Sequence, residues 1–337
     1  MNQSTFVKNA RRFSMLTLCV SLIVGPGLGA VANAQEQAYP SRPIRIVVPF
    51  PPGGSTDALA RILGVELAQR LGKPIVVDNR GGAGGNIGTA AVATAAPDGH
   101  TLLLVSGNYV VNPSVYSSVP YDPIKTFAPI TYIASVPSLL LVNASMPARN
   151  LQELIALVKQ APGKMNFAST GIGSFQHLTA ELLVREGGLQ MTHVPFNGAP
   201  PAVTALLGGQ VHMLVVTPPS VLGHMKAGTL RALAVTSAKR NAIAPDVPTF
   251  AESGFPGFEA DMMQGLLAPS GTPKPIVLKL NKEIVSIIQR PDITQKLLDL
   301  GFIPIASSPD EFARVIGVEL NKWSTVVRAA GIRAEKN

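Results

Sequence analysis

Two short stretches carry the residue types from which an anion site can be built without a metal or a basic side chain. Residues 49–57 read PFPPGGSTD and residues 170–174 read TGIGS. Each sets glycine beside hydroxyl side chains, after a short apolar run and before apolar residues at helical spacing. Glycine lets the backbone approach a ligand closely, and the free N–H groups and dipole at a helix start favour negative charge there. The candidates in the first stretch are Phe50, Pro52, Gly53, Gly54, Ser55, Thr56 and Asp57; in the second they are Thr170, Gly171, Gly173 and Ser174. Taken singly, Ser55, Thr56, Asp57 or Ser174 reads as an ordinary N-cap. Their occurrence as a pair raises the ligand reading.

Other chemistries fit the spacing less well. No lysine stands at the turn of PFPPGGSTD, so a phosphate loop of the Gly-Lys-Ser/Thr kind is absent. Gln176 occupies the place of the third fingerprint glycine after Gly171 and Gly173, and the Gly81 to Gly88 cluster also misses the dinucleotide spacing. The five histidines, His100, His177, His193, His212 and His224, form no H-x-x-x-H pair, so no metal site and no cofactor is expected. Ser174 and His177 share a helical face without a G-x-S-x-G elbow, which leaves a secreted hydrolase as the weaker alternative. Asp57 is the sole acid in either stretch, one short of paired-carboxylate catalysis.

The elements that must hold these stretches follow from periodicity. Ile44 to Val48 reads as a strand, and Leu59, Ile62, Leu63, Leu67 and Leu71 mark a helix stopped at Gly72-Lys73-Pro74. Strands at 75–77 and 102–105, with a helix opened by the glycine cluster, complete a βαβαβ unit, predicting a parallel sheet covered on both faces. The grammar restarts with strands at 139–142, 166–169, 193–196, 213–216 and 231–235, interleaved with helices at 151–160, 175–185, 199–207 and 221–226. A strand at 265–268 and helices at 275–289, 292–298 and 309–330 close the chain. Two α/β halves place a ligand cleft between loops at the carboxyl ends of their strands.

Composition agrees with an exported globular protein. The chain has 337 residues, 46% of them hydrophobic and 14% charged, enough for two domains. Lys8, Arg11 and Arg12 precede an apolar run from Met15 to Val24, and Ala32-Asn33-Ala34 offers a cleavage site, so residues 1–34 are expected to be a cleaved leader. That run is interrupted by Gly25-Pro26-Gly27, short of the roughly 20 residues a spanning helix needs. The one cysteine, Cys19, lies in the leader, which leaves no disulfide or thiol chemistry in the rest of the chain. The net charge of +8 is spread rather than clustered, which makes nucleic acid a poor partner and steering of anionic solutes a plausible use.

The stretch "YPSRPIRIVVPFPPGGSTDALARILGVELAQRLGKPIVVDNRGGAGGNIGTAAVATAAPDGHTLLL", followed by "NPSVYSSVPYDPIKTFAPIT", "FASTGIGSFQHLTAELL", "HVPFNGAPPAVTALLGGQVHML" and "LLAPSGTPKPIVLKLNKEI", resembles the Bug-type receptors of tripartite tricarboxylate transporters. These blocks cover most of residues 39–330 in the family's order. The resemblance implies a two-lobe Venus-flytrap fold of α/β class, a type II-like periplasmic binding protein in which each lobe is a sheet flanked by helices. It implies a first lobe of residues 35–138 and 260–337, and a second of residues 139–259. Its implied role is a monomeric periplasmic receptor that binds a small carboxylate, without catalysis, and presents it to inner-membrane transporter subunits. A sensing receptor that reports to a kinase uses the same cleft, so that alternative stays open. Residue by residue, the family's loops map onto Phe50 to Asp57 and onto Ser169 to Ser174 with His177, and further cleft positions fall at Asn86, Ser106, Asn108, Phe196, Asn197 and Thr217. Asp261-Met262-Met263-Gln264-Gly265 stands where many members carry an aromatic-rich segment, and Val215-Val216-Thr217 where an acid or amide is frequent.

Overall fold

The computed structural model describes residues 39–333. The expected leader lies outside them. The first unit follows from sequence as expected: β1 (Ile44–Val48), α1 (Ser55–Leu71), β2 (Ile75–Asn79), α2 (Asn86–Ala93) and β3 (Thr101–Val105). Leu59, Leu63 and Leu67 on α1 are fully buried, and Gly72 ends the helix in the left-handed conformation that a residue without Cβ adopts freely. Next come α3 (Asn108–Val115), the long β4 (Phe127–Val136), β5 (Leu139–Asn143), α4 (Leu151–Gln160), β6 (Met165–Ser169) and α5 (Phe175–Glu186). The chain continues through β7 (Met191–Pro195), α6 (Ala199–Leu207), β8 (Met213–Val216), α7 (Leu222–Lys226) and β9 (Leu230–Val235). It ends with β10 (Met262–Pro269), α8 (Lys274–Ile288), α9 (Pro291–Asp299), β11 (Ile303–Pro304) and α10 (Pro309–Ala330).

Two sheets carry the two lobes. The first has the order β11-β4-β10-β3-β1-β2 and the second β7-β6-β8-β5-β9. Strands β2, β1 and β3 are mutually parallel, as are β7, β6 and β8. Both trios are parallel as the βαβαβ pattern predicts, and beyond them the sheets are mixed: β10 runs antiparallel to both β3 and β4, and β5 antiparallel to both β8 and β9. The reason is connectivity, because β5 and β10 are the strands that enter each sheet from the other one rather than through a local βαβ crossover. The two passages run side by side. Ser138 N–H donates to Thr236 Oγ1 at 2.8 Å, and Thr236 N–H returns a bond to the Ser138 carbonyl at 3.0 Å.

Three elements had no sequence counterpart: β4, α3 and the two-residue β11. Strand β4 contains Pro129, which sits where the β10 pairing shifts register, the kind of irregularity that tolerates a residue without an N–H. Helix α3 contains Pro113 and is held by burial of Tyr109, Val110, Val111 and Val115, with the Tyr109 ring stacked 5.1 Å from Tyr121. Tertiary packing there overrides weak helix propensity. Helix α10 begins with a full capping box between Ser308 and Glu311, and its Trp323 packs edge-on against Phe175 of α5 at 4.5 Å.

Candidate functional site

The segments that follow β1, β2, β3, β6, β7 and β8 converge on one cavity of about 320 Å³. Each lies at the carboxyl end of a strand from a parallel trio, where the orphan N–H groups of following helices point inward. From the candidate residues, Phe50, Gly54, Ser55, Thr56, Asp57, Ser106, Asn108, Thr170, Gly171, Ser174, Phe196, Asn197 and Thr217 line this cavity. Pro52, Gly53, Asn86, Ser169, Gly173 and His177 do not. The wall also takes in Ile172 of the mapped Ser169 to Ser174 loop, Tyr116 and Gln176, which sequence reasoning missed, and Met262, which it had flagged. Gln176 had been read only as a failed glycine, and nothing local marks Tyr116.

No lysine, arginine or histidine is among the lining residues; Asp57 is their one charged member. Its buried carboxylate is committed to its own loop. It accepts from Gly53 N–H at 3.0 Å, from Arg61 Nε at 3.0 Å and from Asn79 Nδ2 at 3.1 Å. Burial alone would raise its pKa, but the bonds from Arg61, Gly53 and Asn79 and the Arg61 charge together hold it below the ordinary value. Asp57 therefore braces the loop and carries no spare positive partner toward the cavity. Gly53 sits at the mouth, where its carbonyl accepts from Ser220 Oγ of the other lobe at 3.2 Å. A Cβ on Gly198 would lie 3.3 Å from Pro51 Cγ across the same mouth.

The helix starts differ in what they leave free. Helix α1 has Gly54 as N-cap and no side-chain cap; its first i to i−4 bond is Ala58 N–H to the Gly54 carbonyl, so the N–H groups of Ser55, Thr56 and Asp57 have no intrahelical partner. Helix α5 spends two of its first three. Asn108 Oδ1 accepts from Phe175 N–H at 3.0 Å across the lobes, and the Ser174 hydroxyl caps His177 N–H at 3.1 Å. In α3 the N–H groups of Tyr109 and Val110 turn back to Ser106 and Gly107 carbonyls. Helix α6 opens with Pro200 and Pro201, which have no N–H to offer.

Behind the second loop lies a stacked pair of histidines. The His177 and His193 rings are 3.7 Å apart and 13° from parallel, with Phe167 stacked 5.0 Å from His193. His177 Nδ1 accepts from Gly173 N–H at 3.0 Å, and its Nε2 lies 3.4 Å from Glu181. His193 Nε2 is 2.6 Å from the Ser169 hydroxyl, which also accepts from Gly171 N–H at 3.2 Å. Burial first, and then the neighbouring His177, push the His193 pKa down to about 4, against a smaller opposing effect of Glu181. His177 thus faces the loop backbone rather than the Ser174 hydroxyl, and the serine–histidine arrangement on which a hydrolase would rest is not formed. Among the described residues no cluster of three or more histidine, cysteine or acidic side chains could hold a metal, and no helix is long and apolar enough to cross a membrane.

Comparison with known proteins places this geometry. The model of the tripartite tricarboxylate transporter family receptor, TctC, matches residues 59–332. Protein BugT of Bordetella pertussis is 40% identical over 307 residues, covering 90% of this chain and 94% of BugT. The structure of R. palustris Rpa4515 with adipate is 36% identical with a TM-score of 0.85, covering 88% of this chain and 99% of that one. MatC from Rhodopseudomonas palustris with bound malate is 36% identical with a TM-score of 0.81, covering 86% and 100%. Family match, relatives and two-lobe fold agree: the chain belongs to the receptors of the tripartite tricarboxylate transporter family.

Proposed function

We propose that this receptor captures a small organic acid in the cleft and presents it, chemically unchanged, to the membrane subunits of a tripartite transporter. The observation that carries the reading is the start of α1: three N–H groups without intrahelical partners open onto a cavity with no basic side chain. A carboxylate is the anion suited to such a site, since backbone N–H groups and the helix dipole neutralise it without a counter-ion. The structures of one relative with adipate and another with bound malate support the same class.

In this reading the protein works in the periplasm after loss of residues 1–34. Of the described residues, 39–138 and 260–333 form one lobe and 139–259 the other. The paired passages near Ser138 and Thr236 are the hinge. Loops from both lobes touch the ligand, which favours closure because only the closed state offers both sets of contacts. Native mass spectrometry of protein purified without unfolding tests this: the expected result is a retained acid recovered intact. Turnover of the acid, or failure of every small carboxylate to raise the melting temperature, would overturn it.

A further inference from the structure

Two buried polar atoms, one in the cavity wall and one on a side chain bonded to the wall residue Ser55, are satisfied by no protein group. Ser106, 2% exposed and in the cavity wall, has an unpartnered hydroxyl, and Gln264, fully buried on β10, has an unpartnered Oε1. They are neighbours by register. Gly265 pairs with Val105 across the antiparallel β10 and β3, which sets Gln264 opposite Ser106 one step further along. Gly265 abuts the Phe312 ring of α10, where a Cβ would come within 2.1 Å. Side chains alternate along a strand, so Gln264 and Ser106 face the other way, toward α1. There Gln264 Nε2 donates to Ser55 Oγ at 3.2 Å.

Leaving buried polar atoms unmatched is costly, and a native cleft floor keeps such atoms for a ligand or an ordered water. We infer that Ser106 and Gln264 form a subsite for a hydroxyl group, so that the ligand is a hydroxy acid whose hydroxyl lies close to its carboxylate. This rests on the carboxylate reading above. A hydroxyl can donate to Gln264 Oε1 while accepting from the Ser106 hydroxyl, matching both atoms at once. An ammonium could also donate to both oxygens, but it would be buried without a counter-charge, because Asp57 is already paired with Arg61. The position of the carboxylate follows from Ser55. The bond from Gln264 occupies a lone pair of the Ser55 hydroxyl and leaves its proton free to donate to an anion at the α1 N-terminus. The hydroxyl subsite therefore adjoins the carboxylate site through one shared side chain.

The test is titration calorimetry with straight-chain mono- and dicarboxylic acids of three to six carbons, each compared with its 2-hydroxy, 3-hydroxy and 2-amino derivatives. The expected result is a preference of about tenfold or more for a hydroxy acid over its parent. In Ser106→Ala that preference falls to within about twofold while the parent acid's affinity changes less. Gln264→Met provides a second variant, expected to narrow the same preference. Equal affinity of hydroxy and parent acids in the wild type would overturn the subsite and leave the carboxylate reading standing. Tighter binding of the amino derivative would likewise overturn it. Binding of no acid in any series would overturn both readings.

Discussion

The two glycine–hydroxyl loops look alike in sequence and are wired differently. After β1, the loop ends in Gly54, which has no side chain to cap with, and the three N–H groups that follow it on α1 stay available. After β6, the loop ends in Ser174, whose hydroxyl caps its own helix, while Asn108 from the other lobe takes Phe175 N–H. Their braces differ as well. An ion pair of Asp57 with Arg61 stiffens the first loop, and the His177–His193 stack stiffens the second. In the proposed reading the first loop receives the anion through its free N–H groups, whereas the second spends its own on a cap and on Asn108 of the opposite lobe.

The sharpest way to break this contrast is to remove the brace of the first loop. Asp57→Ala removes the carboxylate that accepts from Gly53 N–H and Asn79 Nδ2, leaving Asn79 only its bond to the Phe50 carbonyl, and it breaks the ion pair with Arg61. It is expected to cost about 2–3 kcal/mol of stability by chemical denaturation and at least about tenfold in acid affinity by calorimetry. Unchanged affinity would show that the loop needs no brace. Gly54→Ser then makes the first loop imitate the second. Gly54 has the extended conformation of an N-cap, and a Cβ there meets nothing within 4 Å, so the serine hydroxyl can bond the N–H groups of the first turn. Competition with the ligand should weaken affinity by about tenfold while changing stability by only a few tenths of a kcal/mol. Full affinity with an intact fold would remove α1 as the anion site. The converse variant, Ser174→Ala, is expected to cost about 1 kcal/mol of stability, with a smaller loss of affinity than Gly54→Ser.

How much of this was legible before the structure depends on the range of the forces. The strand-to-helix units around β1 and β6 were readable, because Leu59, Leu63 and Leu67, and the glycines before them, report local periodicity and turn chemistry. Strand β4 and helix α3 were not, since Pro129 and Pro113 argue locally against them and only burial against other elements decides. The same limit applies to the site. Ser55 and Ser174 were equivalent as caps or ligand contacts in sequence; the partners that separate them, Gln264 and Asn108, lie 209 residues from Ser55 and 67 residues from Phe175. His177 was placed among ligand contacts by resemblance, whereas its ring supports Gly173 from behind.

The braces also predict different responses to acid. In the second loop, His177 Nδ1 accepts from Gly173 N–H, and His193 is held neutral among Phe167, Ser169 and His177, with Glu181 beside the pair. The folded pKa of His193, about 4, lies below the ordinary histidine value of 6.5. Its neutral form therefore contributes stability in full above about pH 6.5, and that contribution is lost as pH falls toward 4. Because His193 is only partly buried, solvent screening keeps the effect below about 1 kcal/mol. His193→Gln retains a hydrogen-bonding group for Ser169 and removes the titration. Melting curves from pH 7 to 4 should accordingly show a shallower acid decline in this variant than in the wild type. Parallel declines would mean that the stacked pair does not sense pH and that the two loops differ in hydrogen bonding alone.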